Sequence, residues 1–286
     1  MKKSLKTKIF LDGGYPQETK QILKLLGFLD GQTTNPSLIA KNPKIQKQLS
    51  QGKKLTNNDI LDFYRKTVKA LSQAIPEGSI SIEVYADEKT TAKEMLNQAR
   101  QMSSWINNAH IKFPITKEGL KAAYETVKKG IGVNLTLCFT QEQAAAVFCA
   151  TKGAKNGQVF VSPFVGRLDD IDINGMDLIK NIVKMYEKTD HHVAVLTAST
   201  RNLNHFLYAL KLKSDIITAP FKVIKEWVEK DMTVPDNNFI YNSNNLKSIS
   251  YQKINLNKNW QEFNLNHELT NKGLIKFAND WNALII

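Results

Sequence analysis

A lysine between apolar neighbours is the first feature of this chain that could do chemistry. In the predicted strand His110–Pro114, Lys112 stands between Ile111 and Phe113. An amine removed from water has its charged form disfavoured, which leaves the neutral amine free to attack a carbonyl. Asp12 and Glu83 are the carboxylates at comparable places on neighbouring predicted strands. One could take a proton from a substrate hydroxyl and the other could position water, each tuned by its surroundings. The same residues also have a plainer use. Lys112 paired with Glu83 for structure alone would satisfy the pattern, because buried charges need partners.

These groups must be positioned by strands. The predicted strands are Ile9–Asp12, Phe28–Thr34, Ile80–Ala86, His110–Pro114, Val133–Phe139, Val159–Phe164, Val193–Ala198 and Ile216–Thr218. Amphipathic stretches lie between them, among them Gln17–Leu26, Asp59–Ala74, Thr90–Asn107, Glu118–Lys129, Gln141–Thr151, Leu178–Tyr186 and Asn202–Lys211. Strand and helix alternate eight times, which predicts an α/β fold with a parallel sheet closed into a (β/α)8 TIM barrel. No glycine fingerprint for a dinucleotide follows the first strand, which weighs against an open doubly wound sheet. Parity along the strands predicts a polar interior. Ser81, Glu83 and Tyr85 share one face, as do His110 and Lys112, and Asn134, Thr136 and Cys138. Ile80, Ile82, Val84, Ile111, Phe113, Ile115, Val133, Leu135 and Leu137 face the helices. Sites on such barrels lie at the C-terminal ends of the strands. Residues 1–286 read as a single barrel domain, with 221–286 a C-terminal helical extension packing on it. Phe221–Lys230 and Glu268–Leu284 are its predicted helices, and the Asn-rich stretch 236–266 shows no long periodicity.

With 286 residues, 42% hydrophobic, 13 Phe and 4 Trp, the chain can bury a large core. No apolar run is long enough to span a bilayer, so no membrane is expected. The basic start, Met1 to Lys6, lacks the apolar segment and cleavage site of a secretory leader. Cys138 and Cys149 have neither metal nor redox spacing. The expectation is a reduced, cytoplasmic protein. The net charge of +12 comes from lysines spread along the chain. A general Lys/Asn bias accounts for that spread, and a phosphate site would need only one or two of these cations. Without a basic block interleaved with aromatics, nucleic acid is not expected.

Several segments carry a family resemblance. Thr33-Thr34-Asn35-Pro36-Ser37-Leu38-Ile39, His110-Ile111-Lys112-Phe113-Pro114, Asn134-Leu135-Thr136-Leu137, Ser162-Pro163-Phe164-Val165-Gly166-Arg167 and Ala198-Ser199-Thr200-Arg201-Asn202 resemble, in order, motifs of the transaldolase family. The terminal helix, Leu269 to Trp281, resembles the end of longer members. The resemblance implies that Lys112 forms an imine with a ketose carbonyl and that Asp12 removes the C4 hydroxyl proton. It implies that Glu83 and Thr136 hold a catalytic water, while Asn35, Asn134 and Ser162 bind the dihydroxyacetone unit. Phe164 would line the pocket. Arg167, Ser199 and Arg201 would bind the distal phosphate, with the two arginines close together at the barrel mouth. Neither metal nor organic cofactor is implied. The implied reaction moves a dihydroxyacetone unit from sedoheptulose 7-phosphate to glyceraldehyde 3-phosphate, giving erythrose 4-phosphate and fructose 6-phosphate. The related fructose-6-phosphate aldolases resemble this chain less at Glu83, where they carry Gln. A non-catalytic binder of sugar phosphate or nucleic acid is the alternative from another class, and a homo-oligomer is compatible with every reading. Three features depart from the family pattern: Thr200 where an apolar or aromatic residue is expected, Gly13-Gly14 after Asp12, and a length between the minimal and the large members.

Other signals carry less. Asp170 to Gly175 opens like a calcium loop, but Asn181 stands where a bidentate Glu is required. Asn134-Leu135-Thr136 is a glycosylation triplet within a predicted strand. His191, His192, His205 and His267 have no metal spacing and read as solvated or helix-end residues. Trp227 and Trp281 occupy apolar helix positions and read as core or interface.

Overall fold

A computed structural model describes residues 5–243 and 245–285. Eight parallel strands, each hydrogen-bonded to the next in chain order, close into a barrel: β1 (Lys8–Asp12), β2 (Gly31–Thr33), β3 (Ser79–Glu83), β4 (Ala109–Pro114), β5 (Gly132–Cys138), β6 (Val159–Pro163), β7 (Val193–Thr197) and β8 (Ile216–Ala219). The barrel helices are α1 (Pro16–Leu26), α4 (Asn57–Ala74), α5 (Ala92–Ser103), α6 (Lys117–Val127), α7 (Gln141–Ala150), α9 (Gly175–Tyr186), α10 (Leu203–Lys211) and α11 (Phe221–Glu229). α11 closes the ring between α10 and α1. Short helices α2 (Pro36–Ala40), α3 (Pro43–Ser50) and α8 (Val165–Asp169) follow β2 and β6, and α12 (Glu268–Asn282) ends the chain. The starts of α4 and α5 are set by reciprocal capping boxes, Thr56 with Asp59 and Thr91 with Glu94.

The core has two layers. Outward strand residues such as Ile82, Ile111, Phe113, Val133 and Leu135 are fully buried beneath the helices. Inside, the N-terminal end of the barrel is plugged by Phe10 and Phe160, edge to face at 6.1 Å, with His110 stacked on Phe160 at 4.1 Å. Ser79 lies 2.6 Å from the His110 Nδ1, and Nε2 donates to the Gly157 carbonyl at 2.9 Å. Burial lowers the His110 pKa to about 4, so this ring is a neutral structural plug. With the floor filled, the remaining interior polar groups crowd towards the C-terminal end.

Two strands are shorter than their sequence pattern, for a local reason. Before β2, the Asp30 carboxylate accepts the Ile9 N–H at 3.0 Å, so a side chain does the work of a strand carbonyl. After Glu83, the Tyr85 N–H and C=O both bond the Gln98 side-chain amide, at 2.8 and 2.9 Å, and the backbone leaves the sheet. Parity also fails once. Leu137 takes a left-handed φ of 61°, and the register of β5 against β6 shifts between Leu135 and Cys138. The bulge turns Leu137 to the mouth, against α12, and sends Cys138 outward to the helix layer near Tyr186. The expectation that Cys138 shares the Thr136 face is therefore corrected.

Residues 236–243 and 245–266 run as a largely irregular strap over the outside of the barrel, held by a backbone bridge and by side chains. In the bridge, the Lys247 N–H donates to the Asp172 carbonyl at 2.7 Å and the Asn174 N–H donates to that of Lys247 at 2.8 Å. Gln141 exchanges two bonds with Gln252, Asn181 donates to the Ile249 carbonyl, and Gln143 donates to that of Leu265. The strap delivers α12 across the barrel mouth. There Thr270 donates to the Leu137 carbonyl at 3.0 Å, Asp280 bonds Ser37, and Trp281 donates to Asn57 at 3.1 Å. Trp227 and Trp281 are core residues, as expected. His191 is exposed and His267 caps α12; His192 and His205 are buried and not solvated, though His205 does stand in the first turn of α10. Asn134 is fully buried, and Asn181 lies within α9. Among the described residues no helix is long and apolar enough to cross a membrane, and no cluster of His, Cys, Asp or Glu could hold a metal ion.

Candidate active site

A cavity of about 570 Å3 opens at the C-terminal ends of the strands, roofed on one side by α12. Asp12, Asn35, Lys112, Ser162, Phe164, Arg167, Ser199 and Arg201 all line it. Glu83, Asn134 and Thr136 lie in the barrel wall without lining the cavity and are buried.

Lys112 comes from the middle of β4, directly in register with Glu83 on β3 and Asn134 on β5. Its Nζ lies 2.9 Å from a Glu83 carboxylate oxygen and donates to the Thr34 carbonyl at 3.3 Å. Both side chains of this ion pair are 4% exposed. Burial raises the Glu83 pKa above the ordinary carboxylate range, and the nearby Lys112 cation only partly offsets it. Beneath the pair, Asn134 joins β3 to β6: it donates to Ser81 at 3.0 Å and accepts from Ser162 at 2.6 Å. Thr136, two residues along the same face of β5, is fully buried, with no hydrogen-bond partner for its Oγ1 among the described residues.

Asp12 ends β1 on the cavity wall. Thr33 donates to it at 2.7 Å, and since that hydroxyl proton is then spent, Thr218 donates to Thr33 at 2.6 Å. Burial raises the Asp12 pKa, with Lys112 and the Thr33 bond pulling the other way. Two titratable carboxyls thus flank one amine, each with a raised affinity for protons. Such perturbed groups in a cavity mark a site for proton transfer.

The far side of the mouth carries the arginines. The Arg167 guanidinium sits over the Phe164 and Phe277 rings, 5.1 Å from each centroid. Arg201 pairs with Asp170 at 2.6 Å, both being half exposed. The two cations are close enough for Arg201 to disfavour the charge on Arg167, after burial itself. Two glycines allow this approach. A Cβ on Gly166 would stand 2.3 Å from the Arg201 Nε, and one on Gly273 of α12 would stand 2.5 Å from an Arg167 terminal nitrogen. Ser199 holds a left-handed φ of 58° between them. Thr200 is buried and its Oγ1 has no hydrogen-bond partner among the described residues, so this departure leaves an unpaired hydroxyl beneath the site. Asp170 is engaged by Arg201, at the start of the segment that resembles a calcium loop.

Several groups at the site had no distinct signal in sequence. Lys41, Lys272 and Lys276 also line the mouth, but the place of α12 cannot be read from its periodicity. Thr33 opens one of the resembling motifs, but nothing in its strand or in that of Thr218 ties either hydroxyl to Asp12 before the barrel closes. Tyr64 lies on α4, outside any strand, yet its hydroxyl is 2.5 Å from Thr34 and accepts the Glu83 N–H at 2.9 Å. It ties together the two segments that contact the Lys112 amine.

The site is thus a buried amine between two carboxyls inside a closed (β/α)8 barrel, with two arginines at its mouth. The family pattern described as transaldolase/fructose-6-phosphate aldolase matches residues 9–286. A probable transaldolase of Dehalococcoides mccartyi is 36% identical over 226 residues, covering 79% of this chain and 92% of that protein. Probable transaldolases of Thermoanaerobacter sp. and Prosthecochloris aestuarii are each 38% identical over 226 residues, covering 79% of this chain and 91% and 92% of theirs. The chain belongs to the transaldolase/fructose-6-phosphate aldolase family, and is an enzyme of that type.

Proposed function

We propose that this protein is a transaldolase, moving a dihydroxyacetone unit from a ketose phosphate such as sedoheptulose 7-phosphate to glyceraldehyde 3-phosphate through an imine on Lys112. The observation that carries the reading is the Lys112 amine, 2.9 Å from Glu83 and sharing a cavity with Asp12. Glu83, whose proton affinity burial raises, takes a proton from Nζ. The free amine adds to the C2 carbonyl, and loss of water gives the iminium. Asp12 then takes the C4 hydroxyl proton. The C3–C4 bond breaks, its electron pair moves to the iminium to form an enamine, and the aldehyde product leaves. The acceptor aldehyde enters, the steps reverse, and water releases the new ketose. Thr136 with Glu83 holds the water that carries protons between steps, and Asn35, Asn134 and Ser162 hold the hydroxyls of the three-carbon unit. Sugar phosphates are the partners, and the cytoplasm is the setting.

Arg167, Ser199 and Arg201 take the substrate phosphate on this reading. A charge-assisted hydrogen bond contributes about 1.5–3 kcal/mol. Arg201 gives up a half-exposed pair with Asp170 to bind, and surface pairs are weak. Arg201→Ala is therefore expected to raise the KM for fructose 6-phosphate roughly ten- to hundredfold, with a much smaller change in kcat. Equal losses for phosphorylated and unphosphorylated substrates would remove the arginine from the clamp.

Transfer and simple cleavage share the enamine and differ in its fate. A carboxyl at Glu83 exchanges protons with water and with Lys112, whereas an amide of the same shape cannot. The native enzyme should transfer to an aldehyde acceptor much faster than it releases free dihydroxyacetone, and Glu83→Gln should shift that ratio towards release. A coupled assay on fructose 6-phosphate, with and without acceptor, measures both. Fast release by the native enzyme would favour the aldolase reading, and an unchanged ratio in Glu83→Gln would take Glu83 out of the explanation.

A further inference from the structure

We infer that Asp169 and His205 form a brace that sets the spacing of Arg167 and Arg201, and so tunes affinity for the phosphate end of the substrate. The inference rests on the phosphate reading of that mouth. His205 on α10 is buried, with its side chain 4% exposed, and Asp169 ends α8 with 17% exposed. The His205 Nε2 lies 2.8 Å from an Asp169 oxygen. On the other side of the ring, Nδ1 is 3.3 Å from the Arg201 backbone nitrogen. A backbone N–H can only donate, so Nδ1 accepts and the proton sits on Nε2, donated to Asp169. One neutral tautomer therefore joins the Arg201 backbone to α8. The second Asp169 oxygen takes the Gly175 N–H at 2.9 Å, anchoring the carboxylate to the start of α9.

Neighbouring bonds share the task. Asp170, the next residue, holds the Arg201 guanidinium at 2.6 Å, and the Gly166 N–H donates to the Ser199 carbonyl at 3.1 Å. The turn from Ser199 to Arg201 therefore docks on α8 through a backbone bond, a side-chain pair and the histidine. Ser199 has a left-handed backbone, which a non-glycine residue keeps only where surrounding bonds hold it. Arg167 rides on α8 and Arg201 on the turn. A fixed docking of one on the other gives the two forks a fixed separation before any anion arrives, which is the condition for bidentate capture of phosphate. Asp170 alone does not suffice, because its pair with Arg201 is half exposed and must open when the guanidinium turns to substrate. The brace holds the backbone, so it persists through that exchange.

His205→Ala, Asp169→Ala, the double variant and Arg201→Ala, all in the full-length enzyme, test this. In each single brace variant, the KM for fructose 6-phosphate and the inhibition constant of inorganic phosphate should rise together, by about tenfold, with kcat within about threefold of native. The double variant should be little worse than either single one, since both remove one linkage. Borohydride trapping of unphosphorylated dihydroxyacetone on Lys112 should proceed at the native rate. His205→Asn, whose Oδ1 can still accept the Arg201 N–H but which does not reach Asp169, should lose affinity to the same extent as Asp169→Ala, and it carries the test if the alanine variants do not fold. An unchanged KM and phosphate inhibition, or a fall in kcat and trapping of the same size as the loss of affinity, overturns the brace. If Arg201→Ala is also silent towards phosphate, the phosphate reading itself fails. If Arg201→Ala responds and the His205 variants do not, only the brace is lost.

Discussion

Replacing Lys112 with Met is expected to lower kcat/KM for ketose phosphates by about 10⁴-fold or more while leaving the barrel folded. The chemical half follows from the imine: a thioether has no lone pair that can form one, and no other lysine lies in register between Glu83 and Asn134. The structural half depends on Glu83. Removing one member of a buried ion pair normally destabilises by about 3–5 kcal/mol, because the other charge is stranded. Here burial already raises the Glu83 pKa, and Lys112 is the main group lowering it. Without Lys112 the carboxyl binds its proton more tightly, and taking up that proton relieves part of the cost. The sign can be checked by pH. A carboxyl with a raised folded pKa stabilises fully below its unfolded value, and that contribution fades as pH rises through the folded one. The melting temperature of Lys112→Met should therefore fall relative to native as pH is raised from acid towards alkaline. Substantial turnover by the variant would reject the amine as nucleophile. A flat difference in melting temperature across pH would reject this account of the pair.

Asp12→Asn should lose about 10²- to 10⁴-fold in kcat, the usual size of a positioned general base. It should also become more thermostable at neutral pH. Burial raises the Asp12 pKa more than Lys112 and the Thr33 bond lower it, so its ionised form is a burden on the folded state. The amide keeps the size and can still accept from Thr33 through its oxygen. Because the folded pKa is the higher one, the native protein loses stability as pH rises through it, and the variant does not. The gain in melting temperature should thus be present at neutral pH and vanish in acid, below the ordinary carboxylate range. A variant that is less stable at neutral pH, or as fast as native, would count against the environment described for Asp12.

Much of the barrel follows from strand parity. Ser81, Glu83, Lys112, Asn134 and Ser162 meet inside because alternate residues of a closed sheet must face its axis. The pattern breaks where a side chain or an unusual backbone angle replaces the sheet ladder. Asp30 and Gln98 shorten two strands by bonding backbone groups, and the left-handed Leu137 turns Cys138 out of the interior. None of these effects has a periodicity to detect. The catalytic side of the mouth was legible as motifs at strand ends. The roof was not, since Lys272, Gly273, Lys276 and Phe277 owe their position to the route of the Asn-rich strap and to bonds such as Thr270 to Leu137. His205 shows the same limit: it lacks a metal spacing, and only the fold puts Asp169 on one side of its ring and the Arg201 backbone on the other.

The central claim is the covalent one, and a single trapping experiment addresses it. The native enzyme is incubated with fructose 6-phosphate, reduced with borohydride, digested and mapped by mass spectrometry. Reduction of the imine should leave a dihydroxyacetone-derived adduct on Lys112, with none formed when the sugar is omitted. An adduct confined to another lysine, or no adduct under conditions where the enzyme turns over, would contradict the account.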